Sequence, residues 1–258
     1  MKMMFVTLII INLLNKSMKI DYVIVSSNDN PYYLDFWPIV SKIWKEKFNI
    51  TPVLGLISNE DSEFEKSEYG LVKKFKSING IDTGLQSQIV RLYLPKELDG
   101  YCLISDIDII PLSVNYFENC ASHLTETNIV VYSSDNPECL SNNEYPICYV
   151  SSHSESFKNI LKLDIDWISF VNLMKSRNQG WSTDQKYLFE KINEYKEKTN
   201  DVVLLDRGWS GIANKRIDRA SWSYDPIKVS EGYYIDSHSL RPYSQYSEEI
   251  NKLVSCIN

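Results

Sequence analysis

Cysteine is scarce. The five in the chain, Cys102, Cys120, Cys139, Cys148 and Cys256, form no C-x-x-C pair. That excludes a disulfide framework, argues against a zinc site and leaves reduced thiols as packing residues. With 9 glycines and 9 prolines among 258 residues, collagen-like and linker-dominated chains are excluded. A Gly/Ser/Pro-rich linker is also missing, so residues 18–258 read as one domain. Long apolar runs are absent. The longest, Met3 to Leu14, falls short of the ~20 residues that a membrane-spanning helix needs. It has the length of a signal-peptide core, but no small-x-small cleavage site follows. A weak signal or anchor, a non-native upstream extension and a packed hydrophobic helix all stay open for residues 1–17, which are set aside. Membrane contact could come only through residues 3–14, and the rest reads as soluble and cytoplasmic. A basic excess is missing too. The formal net charge is −7, which argues against a dedicated nucleic-acid binder. It does not argue against nucleotides, because a metal ion can supply the positive charge that phosphates need.

What the chain does have is core material: 43% hydrophobic residues, with 17 Tyr and 6 Trp. The run Asp21 to Ser26 predicts a strand that ends in the polar loop Ser26-Ser27-Asn28-Asp29-Asn30-Pro31. Near-helical apolar spacing predicts one helix over Tyr32 to Phe48, with Pro38 tolerated near its start. Strands are expected at Thr51–Ile57 and, at a sheet edge, Leu71–Ile78, followed by a helix over Thr83–Leu94. Further strands are expected at Tyr101–Ile104, Asn128–Tyr132, Ile147–Val150 and Val202–Leu205. Helices are expected at Asp164–Arg177 and Ser182–Lys198, and an irregular tail from Ser210. This alternation predicts an α/β domain with a mixed, mostly parallel central sheet flanked by helices.

The strongest chemical signal is Asp106-x-Asp108, directly after the apolar run Tyr101–Ile104. In open α/β sheets, ligands bind outside the carboxyl ends of the strands. Two carboxylates there suit a hard divalent cation that shares its oxygen ligands with substrate phosphates. The competing reading is a solvated acidic turn. Asp184 follows Ser182-Thr183, where a helix begins. An acid in that first turn is stabilised by the helix dipole without any functional role.

The stretch RLYLPKELDGYCLISDIDIIPL, Arg91 to Leu112, resembles the GT-A nucleotide-sugar glycosyltransferases. It carries their order of a helix ending R-L/Y-x-x-P, a strand, and D-x-D-x-x-P-L. Downstream, Trp181-Ser182-Thr183-Asp184-Gln185 looks like their D-Q helix start. Asp236-Ser237-His238, followed by Leu240-Arg241-Pro242-Tyr243, looks like the late histidine segment of small members, such as those of large algal viruses. The resemblance runs from about Lys19 to about Tyr246.

It implies the GT-A fold and transfer of a sugar from a UDP-, GDP- or dTDP-sugar donor to a glycan or other hydroxyl acceptor. It further implies Mn²⁺ or Mg²⁺ held by Asp106, Asp108 and His238, with imidazole favouring Mn²⁺. Donor contacts would come from Ser26, Ser27 and Asn28 around base and ribose, from Ser105, Asp106 and Ile107 at the strand end, and from Ser152 and His153. Arg91 would steady phosphate or the first carboxylate, or else form a helix-face salt bridge. Asp184 would stand beside the anomeric carbon as the catalytic carboxylate. Trp181 would stack on a sugar or pack under its loop.

Rival readings stay open. A haloacid-type phosphatase also uses D-x-D, but near its amino terminus. A sugar nucleotidyltransferase wants a Gly-rich loop after its first strand, which is missing here. A non-catalytic nucleotide-sugar or carbohydrate binder would keep the fold without turnover.

Overall fold

A computed structural model of the chain describes residues 18–207 and 215–257. The open readings of residues 1–17 fall outside the described residues, as do residues 208–214. The described elements run β1 (Tyr22–Asn28), α1 (Pro31–Leu34), α2 (Trp37–Glu46), β2 (Thr51–Ser58), β3 (Glu65–Lys66), β4 (Leu71–Lys76), α3 (Thr83–Tyr93), β5 (Tyr101–Ile104), β6 (Ile109–Pro111), α4 (Val114–Ala121) and β7 (Ile129–Tyr132). They continue with α5 (Pro137–Ser141), β8 (Val150–His153), α6 (Ser154–Ile160), α7 (Trp167–Arg177), α8 (Thr183–Lys196), β9 (Val202–Leu205), β10 (Arg216–Asp218), α9 (Pro226–Ser230), β11 (Asp236–His238) and α10 (Tyr243–Val254).

Eight strands form the main sheet in the order β3-β4-β2-β1-β5-β8-β7-β9. β4, β2, β1 and β5 run parallel, and β9 is parallel to β7. β3 and β8 run against their neighbours. Both faces are buried, which explains why these strands read as continuous apolar runs. On β1, Ile24 faces one core with Ile89, Phe170 and Leu188 from α3, α7 and α8. Val23 and Val25 face the other, with Val40, Trp44, Phe117 and Ile250 from α2, α4 and α10. Each such fully buried aliphatic side chain contributes roughly 1.5–3 kcal/mol of transfer free energy. Gly55 sets how closely α3 lies on β2, since a Cβ there would stand 3.0 Å from Val90 Cγ1. Among the described residues, no helix is long and apolar enough to cross a membrane.

Four expectations change. The helix expected over Tyr32–Phe48 is two helices, broken at Asp35 and Phe36. Pro38 has no N–H to continue the ladder, so it stands in the first turn of a new helix. The strand expected at Ile147–Val150 begins at Val150 and runs to His153. Leu71–Lys76 is not the outermost strand, because the two-residue β3 pairs outside it. The described part of the tail is regular, with β10, β11 and the twelve-residue α10.

With β6, the two tail strands form a second sheet in the order β10-β11-β6. Their charged side chains are held by ion pairs rather than by apolar burial, so hydrophobic periodicity carries no trace of them. This small sheet positions the site. β6 follows Asp108 directly, β11 pairs with it antiparallel and β10 pairs with β11 parallel.

Candidate active site

The carboxyl ends of β1 and β5 lie side by side, and Ser105 N–H continues their ladder by donating to Ile24 O at 2.9 Å. The loop after β1 is tied to the start of α3, where Asn28 Nδ2 donates to Thr83 Oγ1 at 3.0 Å. The side chain of Asp82 caps that helix by accepting from Leu85 N. Above these ends is a cavity of about 600 Å³. Ser26, Ser27, Asn28, Arg91, Asp106, Ile107, Asp108, Asp184 and His238 all line it, from five separate stretches of chain.

Arg91 is the hub of one wall and is only 8% exposed. Its Nη1 pairs with Asp106 Oδ1, and its Nη2 with Asp184 Oδ2 at 2.8 Å. Asp184 Oδ1 also accepts from Gln185 N at 2.8 Å, which fixes the carboxylate at the start of α8. Burial pushes the Asp106 carboxyl up, but the Arg91 guanidinium outweighs it and holds the group below its ordinary range. At Asp184 burial wins over Arg91, and the carboxyl is raised.

Two residues on from Asp106, Asp108 Oδ2 meets Arg219 Nη2 at 2.7 Å, Arg241 Nη1 at 3.5 Å and His238 Nε2 at 4.0 Å. Burial first, then the neighbouring Asp106, raises the Asp108 carboxyl. Arg241 is steadied by Tyr33, whose hydroxyl accepts from Nη1 at 2.7 Å.

A third ion-pair group includes Arg207 and Arg216, which also line the cavity. Asp236, fully buried, accepts from Arg216 Nε at 2.6 Å and Arg207 Nη2 at 3.4 Å. Burial alone would raise its carboxyl, but Arg216 and Arg207 hold it at about 2. An unfolded Asp titrates near 3.9. Asp236 therefore contributes its full stabilisation above about pH 4–5 and loses it as pH falls through about 2, roughly 2–3 kcal/mol in all. Urea unfolding across this acid range is expected to show that loss in the wild type. Asp236→Asn, lacking the titrating group, is expected to show a shallower slope.

A divalent cation can be tested against these donors. Two atoms that each bind one ion at roughly 2 Å stand about 3–4 Å apart. The 4.0 Å between Asp108 Oδ2 and His238 Nε2 meets that at its upper end. A carboxylate oxygen with an imidazole nitrogen suits Mn²⁺. Arg219 has to swing off Asp108 to admit an ion, while Asp106 is engaged by Arg91. Among the described residues no cluster of three His, Cys, Asp or Glu gathers around one point. The pair Asp108 and His238 fits a cation that draws its remaining ligands from bound phosphate or water.

Three expected contacts lie elsewhere. Ser105 is buried beneath the loop, with its hydroxyl directed to Asp106 O. Ser152 and His153 sit at the opposite end of the sheet, because β8 runs antiparallel to β5 and pairs His153 with Tyr101. The Ser152 hydroxyl donates to Asn128 O at 2.6 Å, and His153 packs edge-on against Tyr101. Conversely, the cavity includes Tyr33, Gln88, Gln185, Arg207, Arg216 and Arg241, to which the sequence assigned no role. Arg241 stands three residues beyond His238, close enough to have been noticed. Trp181 lies on the rim, 70% exposed, after the left-handed Gly180 (φ +65°). Its carbonyl is held by Gln88 Nε2 at 3.1 Å.

No family model matches the sequence, and a comparison with curated proteins finds no match. Solved structures do match in shape. The apo form of the glycosyltransferase GlyE of Streptococcus pneumoniae TIGR4 aligns over 93% of this chain at 10% identity with a TM-score of 0.50. This chain spans 62% of the GlyE chain. The galactosyltransferase LgtC, solved with donor and acceptor sugar analogs, aligns over 92% of this chain and 96% of its own at 12% identity and TM-score 0.49. The mixed α/β architecture with its large central sheet flanked by helices is that of the GT-A glycosyltransferases.

Proposed function

We propose that this chain is a metal-dependent glycosyltransferase that moves a sugar from a nucleoside-diphosphate-sugar to a hydroxyl of a glycan or other acceptor. One observation carries this reading. Asp108 and His238, distant in sequence, face each other at 4.0 Å across a cavity at the carboxyl ends of β1 and β5. In the same cavity Arg91 holds Asp184.

The residues divide the work by charge. Asp108 and His238 would hold Mn²⁺ or Mg²⁺. A divalent cation bound there supplies positive charge against the negative charge that collects on the leaving diphosphate. Arg219 and Arg241, released from Asp108, can turn their guanidinium forks to phosphate oxygens. Ser26, Ser27 and Asn28 offer small polar groups to the base and ribose. Asp184 supplies a fixed carboxylate near the sugar carbon, where positive charge builds as the glycosidic bond breaks. Arg91 holds that carboxylate in place. Trp181 offers an exposed ring face to a sugar at the mouth of the cavity.

The experiment is a thermal-shift panel of UDP-, GDP- and dTDP-sugars, with and without Mn²⁺. A ligand bound only by the native state at one hundred times its Kd adds about 2.7 kcal/mol. For a chain of this length that raises Tm by roughly 5–10 °C. One nucleotide class is expected to give this shift with Mn²⁺ and little without it. Asp108→Ala is expected to abolish the Mn²⁺-dependent part. An Asp108→Ala protein that keeps the full Mn²⁺-dependent shift would remove Asp108 from the site.

A further inference from the structure

We infer that Asp218 is a positioning residue for His238, fixing the imidazole so that Nε2 presents its lone pair to the cation shared with Asp108. This rests on the metal-dependent reading above and adds a residue that nothing in the D-x-D or late-histidine motifs indicates.

The backbone sets up the arrangement. β10 and β11 pair in parallel with Asp218 opposite His238, and β11 pairs with β6 so that His238 stands opposite Ile109. The Ser239 N–H donates to Asp108 O at 3.0 Å, locking the end of β11 to the motif. The strand pairing therefore sets Asp218 beside His238, and the Ser239–Asp108 backbone bond brings Asp108, just before β6, to the end of β11.

The side chains complete it. His238 Nδ1 lies 3.3 Å from Asp218 Oδ2, and His238 Nε2 lies 4.0 Å from Asp108 Oδ2. The Asp218 carboxylate is itself held, since Oδ1 accepts from Ala220 N at 2.9 Å at the start of the short turn Arg219–Ser221. A carboxylate only accepts, so it fixes the proton on Nδ1 and leaves Nε2 free of one. The 4.0 Å gap is too long for a hydrogen bond and is within the span of two atoms that would hold one ion. A carboxylate behind a metal-ligating histidine orients the ring and raises its basicity, and its loss typically weakens metal binding 10–100-fold.

The test uses the full chain with Mn²⁺ alone. Mn²⁺ affinity is measured by titration calorimetry or by the electron-paramagnetic signal of free Mn²⁺. The imidazole tautomer in the metal-free protein is read from the ¹⁵N shifts of histidine. Asp218→Asn is expected to weaken Mn²⁺ about 10–100-fold and to shift His238 away from the Nδ1–H form, with Asp218→Glu recovering part of both. In a His238→Ala background, adding Asp218→Asn is expected to cause no further loss. Wild-type affinity and tautomer in Asp218→Asn, alongside a loss in His238→Ala, would overturn the role of Asp218 and leave the metal reading standing. Unchanged Mn²⁺ affinity in His238→Ala would overturn both.

Discussion

Replacing Arg91 by methionine is expected to cost about 3–5 kcal/mol of stability, the penalty for breaking a buried ion pair by removing one partner. The change leaves Asp184 buried without its cation and Asp106, at the cavity wall, without its partner. Methionine matches the length of the arginine stem, so little of the loss comes from a cavity. Arg91→Lys is expected to recover only part, because one ammonium cannot reproduce a planar fork that engages two carboxylates at once. The sign with pH is defined. Without the guanidinium both folded-state carboxyls rise, so they take up protons more readily. The defect is then largest at neutral pH and shrinks as pH falls through the acid range. Urea unfolding of wild type and variant near pH 7 and near pH 5 reads both effects. A loss below about 1 kcal/mol would mean that the two acids are adequately solvated without Arg91.

Asp184→Asn is expected to lower kcat by roughly 100–1,000-fold while donor affinity stays near wild type, as for a group whose interaction strengthens only in the transition state. Its structural cost is smaller. Arg91 Nη2 loses a charge-assisted partner but keeps an amide oxygen, which amounts to about 1–2 kcal/mol. A mere first-turn acid would lose no more than a few tenths to about 1 kcal/mol and no turnover. Measuring Tm and sugar-transfer rate on the same preparation separates these outcomes. Turnover at the wild-type rate in the Asn variant would take Asp184 out of the chemistry and leave it as the anchor of Arg91.

Much of the sheet was legible because its strands read as short apolar runs, those at its centre buried on both faces. Tyr101–Ile104 and Val202–Leu205 match the expected bounds. Asp106 and Asp108 stood out for the same reason, as acids interrupting such a run. Strand direction was not legible. Nothing in the four residues Val150–His153 says that they run against β5, and that reversal carries Ser152 and His153 away from the cavity. The late sheet was hidden for a different reason. Arg216, Asp218, Asp236 and His238 are held by charge pairing across strands of three residues, too short for any period. His238 came into view through its resemblance to a family segment. Asp218 and Arg219 had no comparable signal, and only the pairing of β10 with β11 brings them to Asp108.

In the proposed reaction this cavity breaks the bond between a sugar and a nucleoside diphosphate. Release of nucleoside diphosphate from the nucleotide-sugar that gives the Mn²⁺-dependent thermal shift tests it most directly. The assay compares wild type and Asp108→Ala, each with Mn²⁺ and with the metal chelated. The account predicts release by the wild type with Mn²⁺, and release near background in the other three arms. A protein that binds the nucleotide-sugar tightly with Mn²⁺ yet passes the sugar to no hydroxyl acceptor and not to water, and so releases no nucleoside diphosphate, would contradict it and would mark the chain as a binder that keeps the fold without the reaction.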